Sequence, residues 1–308
     1  MTIPLHPMLQ AMVDRGAGLP PMHSFTPAEI RATDVERYAR VPRPPVGDVE
    51  DRMIPGPRGE IRIRIYRPDL GRAHPVITFF HGSGFVICSL DTHDGLCRQL
   101  CLCAGAVVVS VDYALAPENK FPAGPADSLA AARWVSANIA SLGGDGAAYF
   151  LAGDSAGGTM AIVTAMGLRD LGAARIAGQL LMYPVTNYPD PPPPSFVELG
   201  EGFGLTAAGM QYFWDHYLDE PAQGADPLAS PLRAPDLAGL PPTYLMTAAY
   251  DPLHDDGEQF ANRLAEAGVD TTLVRYADMN HGFMSWVGLL DRADEALGAA
   301  CTWMRSKA

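Results

Sequence analysis

The sequence predicts an α/β fold, a mostly parallel central sheet with helices on both faces. Apolar runs of strand length recur at 75–80, 106–111, 149–152, 179–183 and 243–248. They are continuous rather than alternating, as in strands buried on both sides. Segments of helical period fall between them, at 91–105, 123–141, 156–171, 255–267 and 291–305. A length of 308 residues at 48% hydrophobic content is enough to fill one large core of this kind, with room for an embellishment.

Residues 1–45 read differently from the rest. Thr26-Pro27-Ala28-Glu29 looks like a helix start, with Thr26 as cap, Pro27 in the first turn and Glu29 at the capping-box position. Pro42-Arg43-Pro44-Pro45 reads as a linker. Short helices here cannot bury themselves and need a surface to lie on. From Val49 the α/β pattern begins, and Ile61-Arg62-Ile63-Arg64-Ile65-Tyr66 alternates as a half-exposed strand should. Pro75 to Phe80, Ala106 to Val111, Tyr149 to Ala152, Gln179 to Tyr183 and Thr243 to Ala248 are the buried strands, and Thr271 to Tyr276 is the last. A long interruption separates Pro184 from Thr243. It opens on the stiff run Pro191-Pro192-Pro193-Pro194 and carries an amphipathic piece, 207–218, with Tyr212, Phe213, Trp214 and Tyr217. Insertions placed at strand ends build lids in such folds. The aromatic stripe is first its packing face and second a wall for substrate.

Bulk properties exclude several partners. A net charge of -13 argues against nucleic acid and anionic membrane surfaces. No uninterrupted apolar run approaches the ~18 residues of a membrane span, and the N-terminus lacks the pattern of a signal peptide. Cys97 and Cys101 share a helical face, which suits core packing. No histidine or second cysteine pair completes a metal site with them and Cys103, so neither metal nor cofactor is expected. A reducing cytoplasm is the simplest compartment for such thiols.

The chemistry centres on Gly153-Asp154-Ser155-Ala156-Gly157, placed where a strand turns into a helix. A serine hydroxyl offered to a substrate must stand clear of its own backbone, which forces a strained turn, and flanking glycines let neighbouring chain pass close. Alone, the pattern also fits a tight turn with no chemistry, because the chain holds 31 glycines. Other reactive groups decide the matter. In such sheets they sit at the carboxyl ends of strands. His81-Gly82-Ser83-Gly84 follows the strand ending at Phe80, and Asp251 follows the strand ending near Ala249. His281 lies in Met279-Asn280-His281-Gly282-Phe283, after the last strand.

These blocks, together with Asp112-Tyr113-Ala114-Leu115-Ala116-Pro117-Glu118 and Gly158, resemble the hormone-sensitive-lipase-like branch (family IV) of bacterial carboxylesterases. They run in order from 81 to 283. The resemblance implies an α/β-hydrolase fold with its core at 46–186 and 226–308, and a helical cap formed by 1–45 and 187–225. It implies a serine carboxylesterase acting on small-molecule esters. Ser155 would be the nucleophile, His281 the general base and acid, and Asp251 the orienting carboxylate. Backbone N–H groups of Ser83, Gly84 and Ala156 would form the oxyanion hole. A compact, proline-led cap points to short and medium acyl chains, and by analogy two copies would pair through 271–305.

Ser83 departs from the family, which carries glycine there. It keeps the N–H, while its Cβ restricts the backbone and crowds the acyl pocket, and its hydroxyl could donate to the oxyanion or hold a water. His81 reads as a structural histidine bonding the loop backbone, and His254 as a surface or capping residue. Asp255 and Asp256 suit a helix start, Asp154 the elbow, and Glu118 architecture. Asp278 could compete with Asp251 for His281, but it lies in the same loop as the histidine rather than after a strand. Two other functions stay open: a ligand-binding receptor on a dead hydrolase scaffold, and a deacetylase or amidase using the same triad.

Overall fold

The computed structural model describes residues 3–69, 71 and 73–308, so residues 1 and 2 of the expected cap lie outside it. Among the described residues, eight strands form one sheet: β1 (Asp48–Gly56), β2 (Gly59–Arg67), β3 (His74–Phe80), β4 (Val107–Val111), β5 (Gly144–Asp154), β6 (Gly178–Met182), β7 (Thr243–Tyr250) and β8 (Thr271–Asn280). Their order is β1-β2-β4-β3-β5-β6-β7-β8. β1 and β2 run antiparallel to each other, and β2 antiparallel to β4. All remaining pairs are parallel. The predicted mostly parallel sheet is present.

Each central strand feeds two cores. On β4, Val107, Val109 and Val111 face one cluster, and Val108 joins the other. On β5, Tyr149 and Leu151 face the first, and Phe150 and Ala152 the second. Both faces are dry, which is why these runs are apolar throughout. The first core is closed by α4 (Ala123–Ala137), α5 (Ala156–Leu171) and α8 (His254–Glu266). The second is closed by α3 (Asp94–Ala104) and α9 (Asp291–Lys307). Cys97, Cys101 and Cys301 pack in that second core, and all five cysteines are free thiols.

The N-terminal segment supplies α1 (Pro7–Gly16), whose Leu9 packs into the second core, and α2 (Pro27–Tyr38). The Thr26–Glu29 capping box is present: Thr26 Oγ1 accepts the Glu29 N–H at 3.3 Å, and Glu29 Oε2 accepts the Thr26 N–H at 2.8 Å. The insertion forms α6 (Pro194–Glu198) and α7 (Ala207–Tyr217). Met210, Phe213, Trp214 and Tyr217 of α7 join the first core, and Tyr212 Oη donates to the Phe25 carbonyl at 3.0 Å.

Two strands differ from expectation. β1 carries Asp48, Glu50, Asp51 and Arg52, so no apolar alternation announces it. Cross-strand ion pairs hold it instead, with Asp51 opposite Arg64 at 2.6 Å. The last strand runs on past Tyr276 to Asn280, because a register shift between Ala248 and Tyr250 lets β7 keep pairing and sets Tyr250 opposite Asn280. Among the described residues, no helix is long and apolar enough to cross a membrane.

Candidate active site

β5 delivers the chain to Ser155, which sits at φ +53°, ψ −122°, and α5 starts at the next residue. A serine in this region is strained. The surroundings hold it there: Ser155 N–H donates to Met182 O at 2.9 Å, and Ser155 O accepts from Val185 N–H at 3.1 Å. The flanking glycines are demanded by close approach. A Cβ on Gly153 would lie 2.2 Å from Gly157 O, and one on Gly157 would lie 2.0 Å from Phe80 O.

The register of β7 against β8 places the next two groups. Tyr250 and Asn280 are paired, so the residues that follow them, Asp251 and His281, leave the sheet side by side. His281 Nδ1 lies 2.7 Å from Asp251 Oδ2, and His281 Nε2 lies 2.9 Å from Ser155 Oγ. Asp251 is 1% exposed, and its other oxygen accepts the Leu253 N–H at 2.9 Å. The histidine can donate from Nδ1 to the carboxylate and accept the serine proton at Nε2. Tyr183 packs its ring 4.9 Å from the His281 ring.

The glycine-rich loop lies against the elbow. Asp154 Oδ1 accepts the Gly82 N–H at 2.7 Å, which removes that donor from the site. Among the described residues, the N–H groups of Ser83, Gly84 and Ala156 find no protein acceptor. Gly84 lies at φ +52°, and a Cβ there would meet the Phe213 ring at 2.4 Å, so helix α7 presses directly on this loop. A cavity of about 620 Å³ opens between α6 and α7, lined by Pro192, Phe196 and Gln211 among others, and neither Ser155 nor His281 lines it.

A family profile described as alpha/beta hydrolase fold matches residues 77–285. Esterase LipI of Mycobacterium tuberculosis is 42% identical over 88% of this chain and 86% of its own length. An ethyl acetate hydrolase of Pseudomonas putida is 37% identical over 76% of this chain and 75% of its own. Among solved structures, a hyperthermophilic esterase from Pyrobaculum calidifontis superposes with a TM-score of 0.95 at 40% identity, covering 99% of each chain. The chain belongs to the hormone-sensitive-lipase-like carboxylesterases of the α/β-hydrolase fold. It is a carboxylic-ester hydrolase.

Elsewhere in this carboxylesterase the candidate residues take other places. His81 is fully buried, its Nδ1 3.2 Å from Gly82 O and its ring stacked on Tyr113 at 4.7 Å. Loss of solvation, with His93 close by, pulls its pKa down to about 3. Asp278 is engaged by Arg292 at 3.3 Å rather than by His281. His254, expected as a surface or capping residue, opens α8 with its side chain 13% exposed, one position after the N-cap Leu253. Asp255 accepts the Ser195 N–H at 2.8 Å, tying the insertion to α8. Burial, helped by the Asp255 charge, lifts Asp256 to about 6 although it stands in the first turn of that helix.

Glu118 is forked by Arg31 of α2 at 2.7 and 2.9 Å. Arg31 also donates to the carbonyls of Val86 at 2.7 Å and Ala116 at 2.6 Å, so one side chain fastens the N-terminal segment to the glycine-rich loop. Asp154 does more than brace the elbow. Its carboxylate lies 3.3 Å from His93 Nε2 as well as on Gly82. Burial opposes ionisation of Asp154, but His93 and the Gly82 N–H outweigh it and hold the carboxyl below its usual range. His93 escaped the sequence reading. Its signal, a histidine at the helix start in Thr92-His93-Asp94, carries no spacing to the elbow that a one-dimensional reading can use. The Ser83 hydroxyl contacts Tyr113 Oη at 2.7 Å and accepts the Phe85 N–H at 2.8 Å.

Proposed function

We propose that this carboxylesterase works through an acyl-enzyme in which Ser155 is the nucleophile, His281 the general base and acid, and Asp251 the orienting carboxylate. The observation that carries this reading is the unbroken chain Asp251–His281–Ser155, at 2.7 and 2.9 Å. Ser155 Oγ attacks the ester carbonyl carbon as its proton passes to His281 Nε2. Asp251 holds the tautomer that leaves Nε2 free to accept, and stabilises the imidazolium. The N–H groups of Ser83, Gly84 and Ala156 receive the charge developing on the carbonyl oxygen. Collapse expels the alcohol, which takes the proton from His281. Water, activated by the same imidazole, then attacks the acyl carbon and releases the acid.

Residues 1–45 and 187–225 act as one helical cap over a core of 46–186 and 226–308. Tyr212–Phe25 and the Arg31 contacts support that division. Phe213 pressed on Gly84 leaves little height above the oxyanion site, which favours short and medium acyl chains. The name of the relative that hydrolyses ethyl acetate supports the same range. Two copies pair through 271–305, and five unpaired thiols suit a cytoplasmic location. The test is a p-nitrophenyl ester series on wild type and Ser155→Ala. Hydrolysis from acetate to hexanoate, falling steeply by dodecanoate and absent in the variant, is expected. Activity retained by Ser155→Ala sinks the nucleophile assignment, and equal activity on long-chain triglyceride sinks the chain-length range.

A further inference from the structure

The mechanism above leaves the buried hydroxyl of Ser83 unused. Tyr113 has one phenolic proton, and Tyr113 Oη donates it to the His81 carbonyl at 2.7 Å. The 2.7 Å contact between Tyr113 Oη and Ser83 Oγ therefore has Ser83 as donor. Ser83 Oγ in turn accepts the Phe85 N–H at 2.8 Å. With Ser83 4% and Tyr113 2% exposed, water does not compete for these groups. The hydroxyl's single proton is spent away from the oxyanion site.

The bond from Phe85 N–H to Ser83 Oγ spans Gly84. Gly84 and Phe85 lie at φ +52° and +67°, two left-handed residues in succession, the second an aromatic for which that region is costly. The reversal keeps the N–H groups of Ser83 and Gly84 out of internal hydrogen bonds. Contacts on several sides hold Phe85 in it, the Trp214 ring at 5.1 Å and three closer ones. The closer ones are the Ser83 hydroxyl, the Ala116 N–H donating to Phe85 O at 2.9 Å, and the Tyr217 ring stacked at 4.1 Å.

We propose that Ser83, anchored by Tyr113, is a positioning residue for the oxyanion site, and that its hydroxyl fixes the left-handed pair that presents the Ser83 and Gly84 N–H groups. The proposal rests on the assignment of those two groups as oxyanion donors. Ser83→Ala tests it, because it removes the hydroxyl and keeps the Cβ. On p-nitrophenyl butyrate kcat falls about tenfold with KM within about twofold, and a trifluoromethyl ketone, which forms a tetrahedral oxyanion adduct on serine, loses affinity by a similar factor. Tyr113→Phe moves both quantities the same way, and the double variant is no worse than Ser83→Ala, because both act through one hydroxyl. A Ser83→Ala enzyme with unchanged kcat and ketone affinity, or with its loss confined to KM, overturns the proposal. Should Ser83→Ala not fold, unchanged kcat and ketone affinity in Tyr113→Phe overturn it. Ser155→Ala runs alongside: hydrolysis retained there brings down the nucleophile assignment and this proposal together. An inactive Ser155→Ala beside an unimpaired Ser83→Ala removes the positioning role alone.

Discussion

At the residue scale, burial sorts two imidazoles of the same corner into different roles. His81 is fully buried with its pKa down at about 3, so it stays neutral and cannot take a proton from serine near neutral pH. His281 is in line with Ser155 and Asp251. His81→Asn is therefore expected to leave the pH profile of kcat/KM in place and to cost less than about tenfold, whereas His281→Gln should cost about 10⁴-fold or more. Steady-state kinetics across pH separate the two, and a shifted acid limb in His81→Asn would contradict the assignment. Asp256 offers a stability test. Its carboxyl is raised from 3.8 to about 6 in the fold, so the folded state binds the proton more tightly than the unfolded chain. The favourable contribution is full below 3.8 and is lost as pH rises through about 6. Asp256→Asn should then stabilise the fold relative to wild type above about pH 6, by on the order of 1–3 kcal/mol and visible as a higher Tm, and give no gain near pH 4. A gain that is flat with pH would refute this.

At the element scale, the strand-to-helix turn at Ser155 and the N-terminal helix α2 make separate demands. A Cβ on Gly157 would lie 2.0 Å from Phe80 O and 2.7 Å from His81 O, both backbone atoms that cannot swing aside. Gly157→Ala should lose more than about 4 kcal/mol or fail to accumulate as folded protein, as thermal melting would show. Arg31→Met strips donors from Val86 O, Ala116 O and Glu118 at once. It should cost about 2 kcal/mol and speed proteolytic nicking in the largely exposed stretch 17–26. The parallel strands were legible because both their faces are buried, which leaves a continuous apolar signature in Val107–Val111 and in 149–152. β1 was not, because its carboxylates are satisfied largely across the sheet, by Arg62, Arg64 and Arg67 on the neighbouring strand, with Arg52 of β1 itself adding a pair to Glu50. Ser155, Asp251 and His281 could be placed by chain order and strand ends. The shared register of Tyr250 and Asn280 that sets their spacing depends on a sheet irregularity with no local sequence mark. The Ser83–Tyr113 contact likewise joins residues thirty positions apart whose pairing only the folded loop decides.

At the scale of the whole molecule, β8 is the edge of the sheet, with Leu273 38% exposed upon it. An open edge with an apolar side chain invites a second copy. Light scattering is expected to report a dimer, and Leu273→Lys to shift it to monomer; a monomeric wild type would remove this interface. The aromatic face of α7 has a different consequence. Phe213, Trp214 and Tyr217 belong to the same buried cluster as Leu151 and Ile162 beneath them. A helix that shares its interior with the sheet cannot swing away without exposing that interior, at about 2 kcal/mol or more for each large ring laid bare. Esters should thus gain entry by small side-chain rearrangements rather than by a hinged opening. The amides of α7 should exchange with deuterium almost as slowly as those of the central strands.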